Sequence, residues 1–251
     1  AFGVSAASAI SASLLASVYL NHQRKHAILA LTVIWLIGGL ASLIPWTMPA
    51  GNPISVTLLQ GNIAQELKWS ESIALQTIQQ YLSMAKQAKG QLVILPETAL
   101  PISVETNLQD ASQDQVLSAF NGIAQEEHKA ILVGMVGKNQ DAYFNSVMGF
   151  NSVNNHPQFY HKYHLVPFGE FIPLKAFFGW IYRDWLNMPL SDLTPGNKYQ
   201  QPMQLADQKI AVNICYEDVF GEEIIRQLPE ATLLVNVSND AWYGRSNAAD
   251  Q

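Results

Sequence analysis

An uncharged apolar run of twenty residues, AILALTVIWLIGGLASLIPW (27–46), constrains this chain more than any other feature. It matches the roughly 20 residues with which a helix crosses the hydrocarbon core of a bilayer, and so predicts a transmembrane helix. A secretory signal would have a shorter apolar stretch and a small-residue cleavage site at a true N-terminus. Residues 1–20, AFGVSAASAISASLLASVYL, are also uncharged but rich in Ala and Ser. Small residues let membrane helices approach closely, so this segment is read as a second helix packed against others. Between the two lies NHQRKH, whose Arg24 and Lys25 hold the turn on the cytoplasmic side and direct helix 27–46 outward. Tyr19 and Trp46 fall where interfacial aromatics sit.

Charge divides the chain in the same way. Before Glu66 the only charged side chains are Arg24 and Lys25, so all 20 acids and 12 of the 14 bases follow, a net of −8. An acidic polar part argues against a nucleic-acid partner. Charged residues make up 14% of the whole, below the roughly 25% of a soluble domain, as expected if lipid covers part of the surface. The single cysteine, Cys215, can make no intrachain disulfide, and alone it reads most simply as a small buried hydrophobe.

The linker TMPAGNP (47–53), broken by Pro49, Gly51 and Pro53, separates a membrane region (1–53) from a globular domain (54–251). In the latter, ISVTLLQGN, LVILP (92–96), AILVGMV (130–136), YFNSVMGF (143–150), the segment around Phe159, KIAVNICYED (209–218) and TLLVNVSND (232–240) read as strands. Two of them, 143–150 and the Phe159 segment, are joined as a hairpin. An amphipathic helix opens at Ser70 and Glu71 with Ile78, Leu82 and Ala85 on one face. A second helical stretch carries Val116, Phe120, Ile123 and Ala124, and GEEIIRQL is a short one. Strand and helix alternate, so the core is α/β.

Three reactive side chains end or follow apolar strands: Glu97 after LVILP, Lys162 in YHKYHLVPFGEF, and Cys215 after KIAVNI. An ordinary salt bridge or a solvated strand end accounts for any one alone. Together they supply a covalent mechanism, because a free thiol is mostly protonated at neutral pH and needs a base or an ammonium to become a nucleophile. Glu97 would take the proton, and Lys162 would hold the thiolate and then the oxyanion. His161 and His164 lack a third ligand at recognisable spacing. A serine hydrolase would need a G-x-S-x-G turn, which is missing.

The blocks LVILPETALP, KYHLVPFGEFIP, NICYEDVFGEE and NVSNDAWYG resemble the Glu, Lys and Cys blocks of the nitrilase or carbon-nitrogen hydrolase superfamily, in its apolipoprotein N-acyltransferase branch. The resemblance implies an αββα sandwich preceded by transmembrane helices, with no metal and no cofactor. It implies Glu97 as general base, Lys162 as transition-state stabiliser and Cys215 as nucleophile. Glu170 would orient Lys162 or Glu97, Glu217 would support, and the Tyr216 N–H would be an oxyanion donor. Trp69 and Trp242 resemble aromatics of loops around a lipid site, and Phe171 is a further candidate wall. The implied reaction moves an acyl chain from a phospholipid, through a Cys215 thioester, to the α-amino group of a diacylglyceryl-cysteine apolipoprotein. The implied setting is a monomer in the bacterial inner membrane, its catalytic domain facing the periplasm. A membrane-tethered amidase, with water as acceptor, is the alternative, and an inactive membrane scaffold is disfavoured by the intact triad. Because the chain lacks an initial Met and stops at Gln251, the resemblance also implies a fragment without part of the membrane bundle and the last sheet strands.

Overall fold

The computed structural model describes residues 2–48, 51–63, 68, 70–106, 114–153, 156–174 and 192–244. The chain divides into two compact units, Ala1–Pro53 and Ile54–Gln251.

In the first unit, α1 (Phe2–Tyr19) and α2 (Arg24–Ala41) pack as a hairpin. Trp35 Nε1 on α2 donates to Ser11 Oγ on α1 at 3.1 Å. Helix α2 starts three residues before the apolar run and ends five before its predicted limit at Trp46. Pro45 explains the early stop: it has no N–H, and its ring would strike the carbonyl of Ala41 four residues back. Trp46 Nε1 donates to that same carbonyl at 2.8 Å. Among the described residues, α2 is the one helix long and apolar enough, by length and composition, to cross a membrane. Helix α1, expected as a second span, is apolar over the shorter stretch Gly3–Tyr19.

Among the described residues the second unit holds two sheets. The larger contains β1 (Val56–Leu58), β2 (Leu92–Ile94), β3 (Leu100–Glu105), β4 (Ala130–Asn139), β5 (Ala142–Phe150) and β6 (Gln158–His161). Its order is β1-β2-β4-β5-β6, with β3 also on β4. Strands β1, β2, β3 and β4 run parallel, and β5 and β6 add antiparallel. The smaller sheet is β7 (Met203–Leu205), β8 (Gln208–Ile214) and β9 (Leu233–Val237), with β8 and β9 parallel.

Side chains alternate across a strand, so each apolar run of the larger sheet serves two cores. Val93, Leu95, Ile131, Val133 and Met148 pack on one face with Ile78 and Ala85 of α3 (Glu71–Gln87) and Leu117 and Phe120 of α4 (Gln115–Glu126). Leu92, Ile94, Leu132 and Val147 pack on the other with Ile210, Val212, Ile214, Val235 and Val237 of the smaller sheet. Burial on both faces is why these strands read as near-continuous apolar runs. Each fully buried side chain of this size contributes about 1.5–3 kcal/mol. Asp114 opens α4 by accepting from the N–H groups of Val116 and Leu117 (2.8 and 3.0 Å). Buried Lys129 closes α3, donating to the carbonyls of Ala85 and Ala88 at 3.2 and 2.6 Å. The layers are helix, sheet, sheet. Between β8 and β9 the described residues hold short helical turns, Cys215–Val219, Gly221–Ile224 and Ile225–Gln227.

Two strands lie where the apolar pattern marked none, β3 and β7. The first matters for the site. Strands β2 and β3 pair with successive stretches of the same β4, Ala130–Leu132 and Met135–Lys138. Between them the chain leaves the ladder at Pro96–Ala99, opposite Gly134. A Cβ on Gly134 would collide with the Pro96 carbonyl and stand 2.8 Å from Glu97 Cα. Only glycine lets this turn lie so close to β4.

Candidate active site

Glu97 sits on that excursion, 6% exposed, and both of its carboxylate oxygens are held. Asn145 of β5 donates its Nδ2 to Oε1 at 2.6 Å, and the Asn239 N–H, just beyond β9, donates to Oε2 at 3.0 Å. The carboxylate therefore joins the two sheets at the ends of β2 and β9.

Lys162 follows β6 directly and is 1% exposed. Its backbone is fixed on both sides: its N–H donates to the Asn145 carbonyl at 2.8 Å, and its carbonyl accepts from the Gly196 N–H at 2.8 Å. Its ammonium meets Glu170 Oε2 at 2.9 Å and stands 3.9 Å from Glu97 Oε1. Asn145 Nδ2 also donates to Glu170 Oε1 at 2.7 Å, so one amide bridges the two carboxylates that flank the lysine. Glu170 is anchored in turn by the Val166 N–H, at 2.8 Å.

Cys215 follows β8 directly with φ +51°, the left-handed region, and opens the turn Cys215–Val219. A non-glycine residue there marks a tight strand-to-helix turn, held by its surroundings, that turns the thiol off the end of the sheet. Asn236 of β9 donates to the Cys215 carbonyl at 3.1 Å. Ser238 and the Tyr216 N–H both favour the charged form of the Cys215 thiol. The Ser238 hydroxyl also lies 3.0 Å from Asp240 Oδ1.

Glu217, 2% exposed, fastens the cysteine turn to the lysine segment. Its Oε1 accepts from the N–H groups of Tyr163 and His164 (2.7 and 3.0 Å). Its Oε2 accepts from the Ile214 N–H and the Tyr160 hydroxyl (2.8 and 2.9 Å). It touches neither the thiol nor the ammonium through any of these bonds.

Charge and burial set the proton affinities. Burial pushes the Glu97 carboxyl up, against the opposing pull of Lys162 and Asn145. For Lys162 burial works toward the neutral amine, but the Glu170 and Glu97 charges outweigh it and hold the ammonium above the ordinary lysine value. Burial and the Glu97 charge raise the Cys215 thiol, partly offset by Ser238, Lys162 and the Tyr216 N–H. The site thus pairs a protonated thiol with a carboxylate whose proton affinity is enhanced, which suits removal of the thiol proton during attack over storage of a thiolate.

The structure brings Glu97, Lys162, Glu170 and Cys215 into one cluster, with Tyr216 and Glu217 beside it. Phe171 is half-buried next to Glu170, and its carbonyl accepts from the Phe168 N–H at 2.7 Å. Trp242 belongs by its backbone to the turn Asp240–Tyr243, and Trp69 lies outside the described residues. Asn145, Ser238 and Asn239 went unmarked in the sequence. A signal existed for Asn145, since an asparagine inside the apolar strand YFNSVMGF must find buried partners. His161 and His164 separate: the first faces Ser146 Oγ at 2.8 Å, and the second faces Glu223 at 3.3 Å and stacks on Phe220. No group of three or more potential metal ligands occurs among the described residues. A cavity of about 650 Å³ opens beside the cluster, walled by Lys68, Pro96, Asn236, Ser238 and Asp240.

The family model of the carbon-nitrogen hydrolases matches residues 55–251. The chain belongs to the carbon-nitrogen hydrolase family. It is 45% identical to an apolipoprotein N-acyltransferase of Nitrosomonas europaea over 98% of its length, which is 48% of that protein. It is 43% identical to one of Chromobacterium violaceum (91% of this chain, 43% of that protein) and 37% to one of Methylococcus capsulatus (100% and 49%). The chain thus spans about half the length of the curated relatives it matches. Among solved structures, a carbon-nitrogen hydrolase superfamily protein of Xanthomonas campestris has TM-score 0.52 at 17% identity, covering 74% of this chain and 64% of that one. A nitrilase-superfamily amidase of Nesterenkonia has TM-score 0.51 at 15% identity, covering 76% and 66%. These two likenesses concern the family's fold.

Proposed function

We propose that this chain carries the chemistry of an apolipoprotein N-acyltransferase: a Cys215 thioester takes an acyl chain from a phospholipid and gives it to the α-amino group of a diacylglyceryl-cysteine lipoprotein. The observation that carries the reading is the Glu97–Asn145–Glu170–Lys162 network beside the left-handed turn of Cys215. The 45% identity to a protein of that name supports the substrate class.

In the first half-reaction the Cys215 sulfur attacks the ester carbonyl while Glu97 takes the thiol proton. The oxyanion forms against the Lys162 ammonium and the Tyr216 N–H, donors already in place before reaction. Collapse breaks the ester C–O bond, and Glu97 returns the proton to the leaving lysophospholipid alkoxide. In the second half the lipoprotein amine attacks the thioester and gives a proton to Glu97. The C–S bond breaks, the amide remains, and that proton restores the thiol. Glu170 and Asn145 hold the ammonium and the base in register, and Glu217 sets the two segments against each other.

The same reading includes a four-layer αββα arrangement for the complete catalytic domain, residues 54–251 as its part here, and residues 1–53 as membrane region. Helix α2 crosses the inner membrane, α1 packs within it, and Phe171, Trp69 and Trp242 line the lipid path. Full-length enzyme given phospholipid alone is expected to gain the mass of one acyl chain on Cys215 and to release lysophospholipid in one stoichiometric burst. It should then discharge only when a diacylglyceryl-cysteine peptide is added. Continuous release of free fatty acid without peptide, followed by mass spectrometry, would replace the transferase with a hydrolase.

A further inference from the structure

Lys68 is a buried lysine that the mechanism above does not use. It is 5% exposed, and its Nζ donates to Thr98 Oγ1 at 2.6 Å. Burial pushes the lysine down to about 8 while the Glu97 charge opposes the shift. At neutral pH it is therefore still mostly an ammonium, within electrostatic reach of the carboxylate.

Thr98 is the unusual partner. The Ala99 N–H donates to the Pro96 carbonyl at 3.2 Å, closing a four-residue turn with Glu97 and Thr98 at its centre. Thr98 has φ +45°. A turn whose third residue takes positive φ ordinarily places Gly or Asn there, and a β-branched residue adopts that conformation only under constraint. The turn lies against Gly134, where a Cβ would stand 2.8 Å from the Thr98 nitrogen. A threonine at such a site needs a reason, and its hydroxyl bond to the ammonium supplies one.

We propose that Lys68 is a positioning residue for the base: its ammonium holds the Thr98 hydroxyl and thereby the left-handed turn that aims the Glu97 carboxylate. Asn145 and Asn239 fix the carboxylate end of that side chain, and the Lys68–Thr98 bond fixes its backbone end. Without the clamp the carboxylate remains but its approach to the thiol is less well defined. Positioning losses of this kind appear in the maximal rate more than in substrate affinity. The inference rests on Glu97 acting as the base.

The test follows Cys215 acylation by intact mass, using the full-length enzyme and vesicles of phosphatidylethanolamine and phosphatidylglycerol. Lys68→Met and Thr98→Val, the latter of nearly unchanged shape, are each expected to slow maximal acylation roughly ten- to a hundredfold. Half-saturating lipid should change by less than about threefold. Thr98→Ser, which keeps the hydroxyl, should retain most of the rate. The double variant should be no slower than the slower single one, since both break the same bond. If Lys68→Met fails to fold, Thr98→Val and Thr98→Ser carry the test. Wild-type rates in Lys68→Met or Thr98→Val, or losses that multiply in the double variant, would overturn the proposal. So would a shift confined to half-saturation, which would make Lys68 a lipid-binding group. Glu97→Gln separates the two levels: if it acylates normally, the base assignment falls and this inference with it. If Glu97→Gln is inactive while Lys68→Met is normal, only the role of Lys68 is wrong.

Discussion

Burial and the Glu97 charge both favour the neutral form of the Cys215 thiol, so the carboxylate that would remove its proton also makes that proton harder to lose at rest. The sign of a substitution follows. Replacing Glu97 by Gln deletes a negative charge beside the sulfur, which stabilises the thiolate relative to the thiol and lowers the thiol pKa. Alkylation of Cys215 by iodoacetamide, measured against pH, should therefore reach its half-point at lower pH in Glu97→Gln than in the native protein. Acyl transfer by the same variant should be lost, because the thiolate would form more readily in bulk but no group would relay its proton in the reaction. An unchanged or higher half-point would mean that the Glu97 charge does not act on the thiol. Lys162 has the opposite influence, since its ammonium lowers the thiol value, so Lys162→Met should move the half-point upward. The residue types of the site are legible in the sequence, because a carboxylate, an ammonium and a thiol at strand ends are the parts that thioester chemistry needs. Asn145 is legible only as a polar residue that must find buried partners; which partners it finds depends on where its two amide hydrogens point.

At the scale of elements, Glu217 does for the segments what Asn145 does for the side chains. It gathers two N–H groups from the stretch after β6, one from the last residue of β8, and the Tyr160 hydroxyl from β6. Its deletion would leave four donors, two of them in fully buried bonds, without their acceptor, at about 1–3 kcal/mol for each one that water cannot reach. Glu217→Ala is expected to lose about 3 kcal/mol or more, read as a fall of at least roughly 6 °C in Tm for a domain of this size. Glu217→Gln keeps an acceptor oxygen and should lose less. A fall below about 2 °C in the alanine variant, with the acylation burst intact, would remove Glu217 from the architecture of the site. The strand core of these elements is readable from apolar runs with two-sided burial. Strand β3 is not, because LPISVE is interrupted by a proline and follows a turn whose shape depends on Gly134. Helix α2 also ends five residues before its predicted limit, since the stop comes from Pro45 acting on Ala41 and not from loss of apolarity.

For the whole molecule the charge distribution makes a prediction of its own. Arg24 and Lys25 open α2, and the stretch beyond them is free of charge until Glu66. If α2 spans the membrane with those two residues in the cytoplasm, a periplasm-active reporter fused after Gly61 of the full-length protein is expected to be active. Activity of a cytoplasm-specific reporter at the same position would reverse the orientation and separate the site from an extracytoplasmic lipoprotein. The linear order of residues was enough to determine the α/β character of the polar part, the apolar stretch that forms α2 and the residue types of the candidate site. These depend on composition and local periodicity, which any window of the chain displays. Tertiary structure decided the rest. It brought the end of β2 to the end of β9 through one carboxylate and placed Asn145 between two acids. It also set Thr98 and Cys215 in the left-handed conformation and put Lys68 against the turn that carries Glu97. Each of these depends on a contact between segments distant in sequence. Its energy depends on burial and on angles that exist only once the two sheets have closed on one another.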